Sequence, residues 1–155
     1  MRYWLMKSEP GNYSIDDLAR DKVTDWTGVR NYQARNFMKD MQPGDLAIFY
    51  HSNAEPSGAV GAMRIKKAAH GDRTALDPKS QYFEEKATPE NPVWFCVDVE
   101  FIGKFKQTVS LADLRENKKL AKMEVLRKGS RLSVQPSNEA EYKEVCKMGG
   151  LTQHL

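Results

Sequence analysis

The chain of 155 residues carries 24 lysines and arginines against 21 aspartates and glutamates, and its formal net charge is +3. A chain of this length can bury a substantial core, and we expect residues 1–155 to form one domain. The small charge excess argues against a strong, purely electrostatic binder of nucleic acid, although it permits such binding. No apolar run approaches membrane-spanning length and no signal-peptide pattern is found, so we expect a cytoplasmic protein without membrane partners.

The first half of the chain predicts strands alternating with helices. Residues 3–6 form an apolar run typical of a buried strand. Ser14 suits the N-cap of a first helix, since acidic residues follow it in the first turn. Residues 46–50 and 59–65 are the next predicted strands. A second helix is predicted over residues 32–41, where four apolar residues share one face: Ala34, Phe37, Met38 and Met41.

The second half begins with a polar stretch, 75–92, which contains three prolines. It predicts a long surface loop, and such loops are often functional or mobile. Alternation of apolar and other residues over 95–101 predicts a half-buried strand. Ser110 begins a predicted helix whose apolar face continues toward a stop at Gly129.

The C-terminal part predicts a short strand over 132–135, stopped by Pro136, and a final helix opened by Ser137. About five strands with interspersed short helices favour an α+β domain with a mostly antiparallel sheet, curved into a small barrel.

The segment 24–36 combines flat apolar rings with many side-chain donors. Trp26 and Tyr32 supply the rings, and the donors are Arg30, Asn31, Gln33, Arg35 and Asn36. A planar ligand with polar edges, such as a nucleobase, stacks on an aromatic face and is read by amide or guanidinium groups. The alternative is a loop leading into an ordinary helix, with Trp26 anchored in the core.

Three polar clusters follow or lie within predicted strands: Lys7-Ser8-Glu9, His51-Ser52-Asn53 and residues 130–135. Strand ends on one side of a barrel can converge on a pocket mouth. Alternation places Arg131, Ser133 and Gln135 on one face of the last strand, toward the pocket, with Leu132 and Val134 toward the core. The alternatives are a solvated loop for the first cluster and an exposed edge-strand face for the last.

The stretch 115–131 is basic. It is either a solvated helix face or a surface that contacts phosphates beside the pocket. The candidate contacts to a nucleic-acid backbone are Arg35, Lys118, Lys122, Arg127 and Lys128.

No catalytic or metal-binding spacing is found. The histidines His51, His70 and His154 are scattered, and Cys96 and Cys146 are far apart. We therefore expect no metal and no cofactor, and we expect both cysteines to be buried thiols in a reducing compartment. Glu9, His51 and Ser52 could meet as an acid, a base and a hydroxyl, but polar strand ends at a pocket mouth are far commoner than a triad.

Four blocks resemble the signatures of the EVE domain family, and they occur in order along nearly the whole chain. They are residues 3–10, residues 25–36, Gly44-Asp45 with residues 49–52, and residues 129–136. The resemblance implies a PUA-like fold, a curved barrel-like sheet surrounded by helices. It also implies a stand-alone protein of the short bacterial type, which would be nuclear only in a eukaryote.

The family resemblance further implies a reader of modified bases in DNA or RNA, methylated or hydroxymethylated cytosine among them, with no established catalysis. Trp26 then resembles the stacking wall, and Arg30, Arg35 and Arg131 resemble contacts to phosphates or base edges. The implied polar lining is Lys7, Ser8, Glu9, Asn31, Ser52, Ser133 and Gln135, to which we add the neighbouring Asn53 as a candidate.

Three functions therefore remain open. The first is a non-enzymatic reader whose partner is a modified DNA or RNA base, acting as a monomer or weak dimer. The second is a small hydrolase of a modified nucleoside, with Lys7, Glu9 and His51 as acid–base groups. The third is a protein-interaction module with a vestigial pocket.

Overall fold

Six strands and four helices make up the computed structural model, which describes residues 1–152. The strands are β1 (Tyr3–Ser8), β2 (Val23–Asp25), β3 (Leu46–His51), β4 (Gly58–Gly71), β5 (Phe95–Ser110) and β6 (Val134–Ser137). The helices are α1 (Ile15–Asp21), α2 (Tyr32–Asp40), α3 (Leu111–Glu116) and α4 (Glu139–Met148). Short 3-10 turns lie at Arg73–Leu76, Lys118–Leu120 and Glu124–Leu126.

The strands form one mixed sheet in the order β2-β5-β4-β3-β1-β6. Only β1 and β3 are paired in parallel within the described residues, and the other neighbours are antiparallel. The α+β class is confirmed. The closed barrel is not, because the edge strands β2 and β6 do not pair with each other in this part of the chain.

Both faces of β1 and β3 are buried along the middle of each strand. On β1, Trp4 and Met6 belong to one apolar cluster, which includes residues of α1 and α2. Leu5 points to the opposite cluster, which includes residues of α3 and α4. Since neither face is solvated, the sequences of β1 and β3 are continuous apolar runs. This is why the sequence predicted strands over residues 3–6 and 46–50.

The long strands β4 and β5 extend well beyond their predicted ranges. Their pairing shifts register at four places, from Ala59 to His70. Such irregularities place extra residues in one strand and break strict alternation. The sequence pattern therefore predicted only the most apolar parts of β4 and β5. The short strand β2 was missed because its three residues are too few to show a period.

Helix caps explain where several elements begin and end. Ser14 caps α1 as predicted, in a capping box with Asp17. The predicted helix toward Gly129 is wrong, because α3 ends at Glu116 and short turns follow. The backbone leaves the helix at Asn117, whose side-chain nitrogen donates to Glu144 of α4 while its side-chain oxygen accepts from the Lys119 amide.

The last strand also differs from its prediction. It begins at Val134 and continues through Pro136, which was expected to stop it. Proline is tolerated there because β6 is an edge strand and pairs only with β1. The cap of α4 is Asn138 rather than Ser137.

A candidate ligand cleft where the parallel strands end

The ends of β1 and β3 open into a cleft of about 1220 Å³. Parallel strands end at the same edge of a sheet, so the residues after Ser8 and His51 are neighbours. The Ser52 amide donates to the Ser8 carbonyl (3.1 Å), and the Lys7 amide donates to the Ser133 carbonyl (2.8 Å). The three polar clusters of the sequence therefore meet at one site.

Most of the predicted ligand-binding residues line this cleft. They are Lys7, Ser8, Glu9, Trp26, Arg30, Ser52, Asn53, Arg131 and Ser133. Sequence reasoning missed two aromatic residues of the wall, Tyr13 and Tyr82. Tyr82 lies in the predicted long loop. An aromatic side chain in so polar a stretch was the feature of the sequence that could have indicated a residue of the cleft wall.

Trp26 is both a wall of the cleft and a core residue. Its side chain is 6% exposed, and its ring meets Phe49 edge-on with centroids 5.2 Å apart. Trp26 belongs to a buried apolar cluster, as the core-anchor interpretation holds, whereas the stacking-wall interpretation stays a prediction.

The indole nitrogen of Trp26 differs from those of the other two tryptophans. Trp4 Nε1 donates to Asp45 and Trp94 Nε1 donates to Glu84, each at 3.1 Å. Within residues 1–152, Trp26 Nε1 donates to no acceptor. It is not fully buried either, because the one fully buried side-chain polar atom found without a partner is Tyr142 Oη. The Trp26 N–H therefore keeps some exposure, and Trp26 is a residue of the cleft lining.

Several cleft residues use their polar groups in hydrogen bonds within the protein itself. Ser8 Oγ donates to the Tyr13 carbonyl (2.6 Å), and Asn53 Nδ2 donates to Glu9 Oε1 (2.7 Å). By contrast, four of the predicted ligand-binding residues have side chains that make no hydrogen bond or ion pair within the described residues: Lys7, Ser52, Arg131 and Ser133. With the indole N–H, these are the predicted contacts that remain free to meet a ligand.

Arg30 is held in place and is not a free contact. Its Nη1 lies 3.0 Å from the carboxylate of the fully buried Asp72, and its Nη2 donates to the Tyr82 carbonyl (2.7 Å). The guanidinium also lies near the rings of Tyr82 and Trp94, with its carbon 5.4 and 5.3 Å from their centroids. Asp72 accepts from the Gly28 amide as well (2.8 Å), so one carboxylate holds both the backbone and a side chain of residues 28–30 in the cleft wall.

Tyr82 is fitted to this arrangement by Gly28, which has a φ of +87°. A Cβ at Gly28 would lie 2.8 Å from the Tyr82 ring. Glycine is thus required both for the left-handed backbone and for the close approach of the ring.

Lys7 is the cationic group most affected by the cleft. Burial lowers the pKa of its ammonium, and the nearby carboxylate of Glu124 partly opposes this shift. Its Nζ lies 5.8 Å from the centroid of the Tyr50 ring. A half-buried ammonium without a hydrogen-bonding partner is suited to an electron-rich ligand atom.

Two predicted ligand contacts lie elsewhere. Asn31 caps α2, where its side chain accepts from the Ala34 amide (2.9 Å), and it does not line the cleft. Gln135 is 1% exposed and donates to the Leu132 carbonyl (2.7 Å). Gln135 is the cross-strand neighbour of Leu5 and lies on the sheet face opposite Trp26. The strand begins only at Val134, and both faces of the sheet are buried there. Alternation therefore turns Gln135 toward the second core and not toward the cleft.

The predicted backbone contacts are dispersed over the surface. Arg127 and Lys128 line a smaller hollow beside the cleft. Lys118 lies in another depression, near Gln107 and Met148. Lys122 is exposed and lines neither the cleft nor the smaller hollow. Arg35 donates to the Val93 carbonyl and packs over the Tyr32 ring, away from the cleft lining.

His51 does not fit the acid–base role of the hydrolase hypothesis. Its Nε2 accepts from the Ile15 amide (3.1 Å), and burial lowers the pKa of its imidazole. It is absent from the cleft lining of the described residues.

A second set, His70 with Asp98 (2.8 Å) and Cys96, lies outside the cleft. The Cys96 thiol is buried, and burial raises its pKa to about 12, so it is a poor nucleophile.

No group of three or more potential metal ligands lies together within residues 1–152. His154 lies outside the described residues. No helix in the described part of the chain is long and apolar enough to cross a bilayer.

The fold and the cleft define a small α+β domain, built on an open mixed sheet, with a polar cleft where two parallel strands end. The EVE domain family model matches residues 2–148, and the chain belongs to this family.

Relatives and solved structures agree with this assignment. Human thymocyte nuclear protein 1 is 37% identical over 164 residues, which cover 94% of this chain and 73% of the human protein. A hypothetical protein from Leishmania major superposes with a TM-score of 0.92 at 44% identity, covering 97% of this chain and 95% of its own. Human THYN1 in complex with 5-methylcytosine-containing DNA superposes with a TM-score of 0.88 at 35% identity, covering 98% and 99%.

Proposed function

We propose that this EVE domain is a non-enzymatic reader of a modified nucleobase in DNA or RNA, and that the base binds in the cleft beside Trp26. Methylated and hydroxymethylated cytosine are the candidate bases. 5-Methylcytosine is the first to test, because the similar human THYN1 structure is a complex with DNA containing that base.

The observation that carries this proposal is the free indole N–H of Trp26 in a cleft with further unpaired polar side chains. A nucleobase has a flat apolar face and a rim of hydrogen-bond acceptors and donors. The ring edge of Trp26, the ammonium of Lys7 and the hydroxyls of Ser52 and Ser133 complement such a rim.

The energetics favour weak binding that is biased toward the modification. Extracting a base from a duplex costs a few kcal/mol, and each hydrogen bond to a cleft group such as the Trp26 N–H returns about 0.5–1.5 kcal/mol. Binding therefore about breaks even on a duplex and is favourable on a single strand. One buried methyl group contributes about 0.8 kcal/mol, or about a fourfold preference over the unmodified base.

Hydrolysis receives less support than binding. The hydrolase hypothesis needs His51 as an acid–base group, but its Nε2 is used by a backbone amide and burial disfavours its charged form. Glu9 is likewise engaged by Asn53.

The test compares binding of a short strand containing one 5-methylcytosine with binding of its unmodified twin, measured by fluorescence anisotropy. Wild-type protein should prefer the methylated strand about fourfold. Trp26→Phe keeps an aromatic ring but deletes the N–H, and should weaken binding about 2- to 12-fold, as expected for one hydrogen bond. Trp94→Phe is the matched control, because Trp94 does not line the cleft.

Equal binding of the two strands, together with wild-type affinity in Trp26→Phe, would contradict the proposal for 5-methylcytosine. The same assay is then repeated with a strand containing 5-hydroxymethylcytosine. Turnover of a modified nucleoside by the purified protein would contradict the non-enzymatic part.

A further inference from the structure

A second hollow, of about 300 Å³, adjoins the cleft and shares Ser130 and Arg131 with it. Arg127, Lys128 and Arg131 supply its cationic side chains, and Glu124 is the acidic residue in its wall. We name it the basic hollow. Because Arg131 belongs to both sites, a ligand that leaves the cleft past this residue enters the basic hollow directly.

The positive charges of the basic hollow are available to a ligand. Glu124 is occupied, since its carboxylate accepts from Ser130 Oγ (2.7 Å) and lies 3.6 Å from Arg127 Nη1. Arg127 is nevertheless 76% exposed. Lys128 and Arg131 are exposed and make no ion pair within residues 1–152. Three cations against one engaged carboxylate leave a positive surface at this rim of the cleft.

The rest of the basic stretch has different surroundings. Lys118 lies in a depression that also contains Asp113 and Glu116, so the local charge there is not positive. That depression shares no residue with the cleft lining. The phosphate surface expected over residues 115–131 is therefore divided, and only the part after Glu124 adjoins the cleft.

We propose that the basic hollow holds the phosphodiester backbone next to the base bound in the cleft. This inference rests on the proposed function. A base inserted in the cleft remains attached to a sugar and two phosphates, which must leave through an open rim. Guanidinium groups suit phosphate oxygens because they can donate two parallel hydrogen bonds. Contacts to phosphates position a strand, while the cleft selects the base.

The ligand is accordingly a strand with at least one phosphate flanking the modified base, and not a free base or nucleoside. Its affinity depends on salt through the basic hollow. Its preference for the modified base does not, because that preference arises in the cleft.

The test compares two double variants that remove the same charge. Arg127→Gln with Lys128→Gln empties the basic hollow of two cations, and Lys118→Gln with Lys122→Gln is the matched control. All four side chains are exposed, so both proteins should fold. Binding of a fluorescein-labelled single strand containing 5-methylcytosine, and of its unmodified twin, is measured over a range of salt concentrations.

In the basic-hollow variant, the slope of log affinity against log salt should shrink by about 1.4, which corresponds to two lost phosphate contacts on a single strand. Affinity for both strands should fall by the same factor, so the methylated-to-plain ratio stays as in the wild type. The control variant should keep a slope close to that of the wild type. Equal slopes in the two double variants would overturn the inference.

A second arm neutralises single phosphates with methylphosphonate linkages on either side of the modified base. Wild-type protein should lose affinity at linkages on one side, and the basic-hollow variant, which keeps only Arg131 of the three cations, should lose less there. Equal losses in both proteins would overturn the inference. Absence of a methyl preference in the wild type refutes the proposed base reading instead, and a wild type that binds neither strand refutes both.

Discussion

Replacing Trp26 with alanine removes a ring that the cleft and the core share. The ring is 6% exposed and packs edge-on against Phe49, and the Trp26 backbone amide donates to the Val97 carbonyl. Large-to-alanine changes at such sites cost about 3–5 kcal/mol, because the cavity left behind collapses only partly. This is a large share of the 5–15 kcal/mol that typically stabilises a domain.

The free energy of unfolding is measured by urea denaturation, followed by far-UV circular dichroism. At about 2–4 °C per kcal/mol for a domain of this size, the melting temperature should fall by about 6–20 °C. Tyr32→Ala is the control, since Tyr32 comes from the same segment but is 61% exposed and contacts the Trp94 ring and the Arg35 guanidinium at the surface. It should cost about 1 kcal/mol.

If Trp26→Ala and Tyr32→Ala destabilise the protein equally, the core role of Trp26 is refuted. If the expected difference is found, binding lost in Trp26→Ala must be corrected for unfolding.

Three further predictions concern residues around the cleft. Burial lowers the pKa of His51 below 6.5, so the unfolded chain binds more protons than the folded protein below that pH. The urea midpoint should therefore fall as the pH drops below about 6.5, and it should fall less steeply in His51→Gln. Parallel pH profiles of the two proteins would argue against this. Asp72→Ala leaves Arg30 without its buried partner and should cost about 3–5 kcal/mol in urea unfolding; a cost below about 1 kcal/mol would show that the pair does not hold the wall. Gln135→Leu should cost about 1–3 kcal/mol, because the Leu132 carbonyl loses its donor, and anisotropy should show unchanged base preference; a changed preference would return Gln135 to the site.

The local elements of this protein were largely predictable from its sequence. The apolar runs that became β1 and β3 are continuous because both faces of those strands are buried. Ser14 and Asp17 form a capping box that a short stretch of sequence can encode. The polar clusters after the strands converged as expected, because a parallel pair ends at one edge of the sheet.

Predictions failed for polar side chains that could bond either another part of the protein or a ligand. Gln135 was assigned to the cleft by alternation, but alternation cannot tell a solvated face from a second buried face. Asn31 and Arg30 looked like free donors in a rich segment. The Asn31 side-chain oxygen accepts from the Ala34 amide and caps α2, and Arg30 is paired with Asp72, 42 residues away in the sequence.

The sequence by itself determined the strands with one strong period, the helix starts and the family to which the chain belongs, because these depend on residues close together or on ordered blocks. Only the tertiary structure decided which polar groups are consumed by the fold and which remain for a ligand. Hydrogen bonds such as those from Arg30 to Asp72 and from Trp94 to Glu84 are set by packing between distant segments. The free indole N–H of Trp26 and the division of the basic stretch emerge only when those partners are in place.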